Sequence, residues 1–87
     1  MFMIRLCSDH AAYEAVPRTR KPLNLAALKD KVTQSSKWTA VIATSQFLII
    51  RRDDAVEVTV VDDGRMIIRN VANEKSAEEI AETITAL

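Results

Sequence analysis

The sequence predicts an α+β domain in which an antiparallel sheet of four to five strands is backed on one face by two helices. Three observations carry this expectation. Hydrophobic residues recur every second position between Trp38 and Asn70, they recur at helical spacing in Leu25–Ser35 and Ser76–Leu87, and the one glycine, Gly64, sits between two alternating runs. With 87 residues there is room for one hydrophobic core, so residues 1–87 read as a single domain. Within it, residues 1–22 read as an N-terminal strand plus a basic connector, and residues 23–87 as the helix–strands–helix body.

Met1–Cys7 is apolar apart from Arg5 and has the length of a strand. Ser8 reads as the cap of a short helical turn through Asp9–Val16, because its hydroxyl can accept from a backbone N–H two or three residues on and Asp9 sits where the helix dipole favours an anion. Pro17 ends that turn. Pro17–Pro22 is then a proline-bounded basic loop in which no helix continues.

Asn24 is the expected cap of the first long helix. Leu23 and Leu28 bracket it at hydrophobic-staple spacing, and Leu25, Leu28 and Val32 form its apolar stripe. From Trp38 the period becomes two. Trp38–Thr44, Gln46–Arg52, Val56–Val61 and Arg65–Asn70 are rich in β-branched and aromatic residues and are separated by turn formers. Arg51–Asp54 makes one connection, and Asp62-Asp63-Gly64 makes the other, with Gly64 at the position that needs a positive φ. Val56, Val58, Val60, Met66 and Ile68 mark the core face. Ser76-Ala-Glu-Glu79 has the form of a capping box, followed by an apolar stripe of Ala77, Ile80, Ala81, Ile84 and Leu87.

Composition limits the function classes. Hydrophobic residues make up 48% and charged residues 28% of the chain, which suits a globular domain. Net charge is zero, so the whole chain has no footprint for nucleic acid or membrane, although its distribution is uneven. Residues 1–37 carry seven basic and three acidic side chains, residues 38–70 four and five, and residues 71–87 one and four. Cys7 is the only cysteine, which excludes an internal disulfide and favours a reducing compartment, the cytoplasm. No apolar run is long enough to span a bilayer, and Met1–Cys7 is too short for a signal peptide.

The helix opening on Leu23-Asn24-Leu25, the run of antiparallel strands, Gly64-Arg65-Met66-Ile67-Ile68 and Ser76 with its following acidic pair together resemble one repeat of the TATA-binding protein fold. The likeness covers Leu23–Leu87, or the whole chain if Met1–Cys7 supplies the first strand, and small archaeal proteins of unknown function contain one such repeat alone. The resemblance implies helices on the convex side of a curved sheet and DNA on its concave side. It places Glu57, Thr59, Val61, Arg65, Ile67 and Arg69 on that concave face. Two positions depart from the family: Val61 stands where an intercalating phenylalanine is found, and Arg69-Asn70 where threonine and glycine are found. Only one repeat is present, so a full saddle requires a dimer.

Chemistry is sparse. Cys7 and His10 lack the further ligands of a metal site and the orienting group of a nucleophile–base pair. Asp53-Asp54 and Asp62-Asp63 suit turns whose side chains bond their own backbone. Trp38 reads as core packing. No catalytic, metal or cofactor residues are expected, and the chain does not read as an enzyme.

The open sheet face is the expected site, because Phe47–Ile50 is apolar on both faces and Val61 and Ile67 add to the outward side. Either a partner covers this face or residues 1–22 do. Arg51, Arg52, Arg65 and Arg69 are phosphate-contact candidates that neighbouring carboxylates would neutralise, and Arg18, Arg20 and Lys21 form a secondary basic loop. The expected function is a non-catalytic interaction module binding a protein partner or a second copy of itself through this face. Nucleic-acid binding by the same face is the alternative that the resemblance implies.

Overall fold

The computed structural model describes residues 2–6, 12–19 and 22–87. Six strands and two helices follow in the order β1 (Phe2–Leu6), β2 (Ala12–Pro17), α1 (Leu25–Gln34), β3 (Trp38–Ala43), β4 (Phe47–Arg52), β5 (Glu57–Val61), β6 (Met66–Arg69) and α2 (Glu74–Thr85). All strand pairs are antiparallel, in the spatial order β1-β2-β6-β5-β4-β3. The sheet therefore has one strand more than the upper sequence expectation.

The additional strand is β2, and it corrects the helical turn expected over Asp9–Val16. Tyr13 and Val16 favour a strand, and pairing to β1 on one side and β6 on the other satisfies backbone groups that a lone short turn would leave to water. Pro17 ends the strand opposite Phe2, at the margin of the sheet, where a missing N–H costs little. Ser8 and Asp9, the expected cap, lie outside the described residues, as do Cys7, His10, Arg20 and Lys21.

The central hairpin sets the register. Val61 N–H donates to Arg65 O at 2.8 Å and Gly64 N–H to Val61 O at 2.9 Å, with Gly64 at φ 95°. The β4–β5 connection repeats this geometry. Arg52 N–H donates to Val56 O at 2.8 Å and Ala55 N–H to Arg52 O at 3.0 Å, but the left-handed position is held by Ala55 at φ 71°. Asn70 Nδ2 donates to Ala55 O at 2.9 Å and ties this strained turn to the end of β6.

Both helices cover one face. α1 packs on β3 and β4, while α2 packs on β1, β2 and β6. Val58, Val60, Leu48, Ile50 and Ile68 are fully buried beneath them with Val32, Ala77, Ala81 and Ile84. Trp38 is buried as expected, with the Arg52 guanidinium 5.5 Å above its ring.

Asn24 caps α1, accepting from Ala27 N–H at 3.1 Å, and Ser35 forms the C-cap. At α2 the expected cap is displaced. Asn73, not Ser76, is the N-cap, its Oδ1 accepting from Ser76 N–H at 2.9 Å, so the cap lies three residues earlier than the capping-box reading placed it. Asn and Ser are comparable caps, and Asn73 prevails because starting there places Ala77, Ile80, Ala81 and Ile84 in the core while adding a turn.

Two substitutions separate these local effects in urea unfolding. Ala55→Gly should stabilise the chain by about 1 kcal/mol and Gly64→Ala should destabilise it by a similar amount or more, because a Cβ in the left-handed region costs about 1–2 kcal/mol. Asn73→Ala should cost about 1 kcal/mol, clearly more than Ser76→Ala.

Candidate functional site: the bare face of the sheet

In a pleated sheet, directly paired residues present their side chains to the same side, so register alone assigns the face opposite the helices. Its middle row runs through all six strands as Ile42, Ile49, Thr59, Ile67, Glu14 and Arg5. On one flank lie Thr39, Arg51, Glu57, Arg69 and Ala12. On the other, Phe47 opposes Val61, Arg65 follows across the Gly64 turn, and Val16 pairs with Met3.

The six expected site residues are thus on one surface. Glu57, Thr59, Val61, Arg65, Ile67 and Arg69 are all partly exposed. The reading missed Ile42 and the contribution of β1 and β2: Met3, Arg5, Glu14 and Val16. The strand-forming Tyr13 and Val16 were the available signal, masked by the cap motif that precedes them. Of the secondary basic loop, Arg18 is exposed, and Arg20 and Lys21 lie outside the described residues.

Residues 2–6 and 12–17 do not fold over this face. They extend the sheet in its own plane, so among the described residues nothing covers it. Several apolar side chains meet water there: Met3 is 63% exposed and Ile42 47%. Val41 reaches 44% at the bulge where the β3–β4 register shifts between Ala40 and Ile42. Excess apolarity on an uncovered sheet face is the feature that distinguishes this surface from a solvated one.

Its arginines are held in ion pairs. Arg5 Nη2 lies 2.7 Å from Glu14 Oε1, and Arg65 Nη1 lies 3.8 Å from Glu14 Oε2. Arg65 Nε also donates to Asp63 Oδ2 at 2.9 Å. Across the neighbouring strands, Arg51 Nη2 bonds Glu57 Oε1 at 2.8 Å, and Glu57 is also the register partner of Arg69. Carboxylates are therefore interleaved among the guanidinium groups, and the positive potential that a phosphate backbone seeks is reduced.

One pair stands apart, at the β4–β5 turn. Arg52 grips Asp54 with two bonds, Nε to Oδ1 at 2.8 Å and Nη2 to Oδ2 at 2.7 Å. That hydrogen bonding, opposed by slight desolvation and aided by the opposite charge, lowers the Asp54 pKa from its ordinary 3.8 and raises that of Arg52.

The helix side carries a groove of about 380 Å³ between α1 and α2, walled by Phe2, Leu23, Leu28, Met66, Ile84 and Leu87. Its charged lining consists of Lys31, whose Nζ donates to Leu87 O at 3.3 Å, and Asp63, which serves Arg65. That lining holds no nucleophile–base pair. Among the described residues no three His, Cys, Asp or Glu side chains converge as metal ligands, and no helix is long and apolar enough to cross a membrane. No family model matches the chain, and no curated protein or solved structure matches it.

Because the folded-state pKa of Asp54 is depressed, the Arg52–Asp54 contact contributes in full above the ordinary carboxylate range and is lost as pH falls through the lower folded value. Carboxyl-detected NMR titration should show Asp54 titrating below 3.8, and Arg52→Ala should return it toward that value. An unmoved Asp54 in the variant would show that the pair does not form in solution.

Proposed function

We propose that this chain is a non-catalytic interaction module that binds a protein partner through the bare face of its sheet. One observation carries the reading: the row Ile42–Ile49–Thr59–Ile67 runs across four adjacent strands with no described segment over it. Interfaces combine an apolar, charge-depleted centre with a polar rim. Here Phe47, Val61, Ile49 and Ile67 form the centre, and the Arg5–Glu14–Arg65 and Arg51–Glu57 pairs form the rim. Sole Cys7 accords with a cytoplasmic setting, where thiols stay reduced.

The order strand, helix, four strands, helix from β2 to α2, with both helices on one side, supports the likeness to a half-repeat of the TATA-binding protein fold. In that reading β2 is the first strand, and β1 is an addition at its edge. The likeness also keeps a second reading open, in which the same face binds DNA through Arg51, Arg65 and Arg69. Their interleaving with Glu57, Glu14 and Asp63 favours the protein-binding reading.

Hydroxyl-radical footprinting of the full chain, alone and in extract of its source cells, tests the first reading. Ile42, Ile49 and Ile67 should gain protection in extract while Lys29 and Glu79 on the helices do not, and Ile67→Lys should abolish the protection. Equal labelling in both conditions, at a concentration where sedimentation shows the chain alone to be a monomer, would remove the support. For the second reading, duplex and single-stranded DNA added at low salt should leave the amide signals of Thr59, Arg65 and Arg69 in place. Shifts that fade steeply with salt would instead establish nucleic-acid binding.

A further inference from the structure

The arrangement of apolar and charged residues on the bare face is self-complementary, and we infer that its occupant is a second copy of this chain, packed face to face. The inference rests on the reading that this face is an interface and names the partner.

Consider a two-fold axis in the plane between two such faces, directed along the strands and passing between β4 and β5. It lays β5 over β4 of the second copy, and β6 over its β3. Register then sets Phe47 against Val61 of the second copy, Ile49 against its Thr59, and Ile42 against its Ile67. Each of these contacts occurs twice, as two-fold symmetry requires. On the flank, Glu57 meets Arg51 of the second copy, and Arg51 meets its Glu57. The ion pair already made within each chain at 2.8 Å thus becomes a four-membered cluster of alternating charge. A carboxylate has acceptor capacity for two guanidinium groups, and these side chains retain 24% and 55% exposure with which to form it.

Other placements are poorer. A two-fold axis running across the strands through the middle row would stack Glu14 on Glu14 and Arg5 on Arg5, and like charges in contact oppose association. Continuing the sheet through β3 meets the bulge between Ala40 and Ile42, a device that interrupts edge pairing. With the axis between β4 and β5, Arg5 on β1 and Glu14 on β2 fall outside the overlap and stay in water, while Arg65, at the start of β6, lies at its margin and keeps its partners Glu14 and Asp63. Four strands about 4.8 Å apart and about five residues long give a patch of roughly 320 Å² per copy, below the ~800 Å² per partner of a standard interface and in the range of weak, transient contacts. The dimer is therefore a weak and reversible one.

A charge exchange between chains tests this. Arg51→Glu and Glu57→Arg are made separately, and each is confirmed as folded by its amide spectrum. Sedimentation of the wild-type chain from low micromolar to near-millimolar concentration should show the mass rising from 9.7 kDa toward twice that value. Each single variant sets like charges against each other across the axis and should dissociate about tenfold more readily. An equimolar mixture of the two variants restores both opposite-charge contacts between chains and should regain association, whereas an effect confined to folding within one chain cannot be rescued by mixing. Ile42→Lys should weaken association to a similar degree.

A wild-type chain that stays at 9.7 kDa throughout, or folded variants whose mixture does not recover, overturns the inference. Association indifferent to all three substitutions places the contact elsewhere and overturns it too. If the wild type stays monomeric while the footprint in extract appears, self-association falls and the protein-partner reading stands. If neither signal appears, both fall.

Discussion

Everything in this molecule depends on the register of one hairpin. Gly64 adopts a backbone conformation closed to most residues, and the turn it makes brings Val60 opposite Met66 and Val58 opposite Ile68. Side chains alternate along a strand, so a slip of one residue would send that whole apolar set to water and bring Glu57, Thr59 and Ile67 under the helices. Once the hairpin is registered, the neighbouring strands have little choice. β4 must offer Leu48 and Ile50 to the same side, β2 must offer Ala15, and the helices close over what results. The bare face is what this arrangement leaves over, defined by the same alternation that builds the core.

That common origin explains why the face is an uneasy surface. A sheet covered on one side commonly shows water a polar set, and here β5 and β6 comply in part with Glu57, Thr59, Arg65 and Arg69. β4 does not comply, because Phe47 and Ile49 are as apolar as the Leu48 and Ile50 they alternate with. β3 adds Ile42 and, through its bulge, Val41. Charges are placed around this apolar strip in opposite-sign pairs, so the face carries no field of one sign. Interleaved carboxylates such as Glu14 and Glu57 lower the one-signed potential that a polyanion seeks.

Much of this was legible from residue order. The four strands from Trp38 to Asn70, the Gly64 turn, the first helix with its Asn24 cap and the core set of Val56, Val58, Val60, Met66 and Ile68 all follow from periodicity and turn chemistry. The misplacement of the second helix cap shows the limit of motif spacing: Asn73 and Ser76 are both competent, and the helix starts where its apolar stripe meets the sheet. Met1–Cys7 reads correctly as a strand, β1, whereas β2 was misread for a related reason. Ser8-Asp9 before an Ala-rich stretch carries a helical signal over a short window, whereas the strand preference of Tyr13–Val16 is expressed only when β6, more than fifty residues away, supplies the partner.

Sequence alone therefore determined the fold class and the identity of the buried face, because these depend on local periodicity. Tertiary structure decided the sheet order, the place of β1 and β2 and the environment of each arginine, because these depend on which strand edge finds which. Glu14 lies nine residues from Arg5 and fifty-one from Arg65, yet it joins both. No spacing rule could place a carboxylate from an expected helix beside an arginine on a hairpin. Residues 2–6 and 12–17 also lie in the plane of the sheet rather than over it, since their backbone groups are better satisfied by extending the ladder than by crossing an apolar face that offers them no hydrogen bonds. That choice leaves the face bare, and so gives the molecule a surface with which to act.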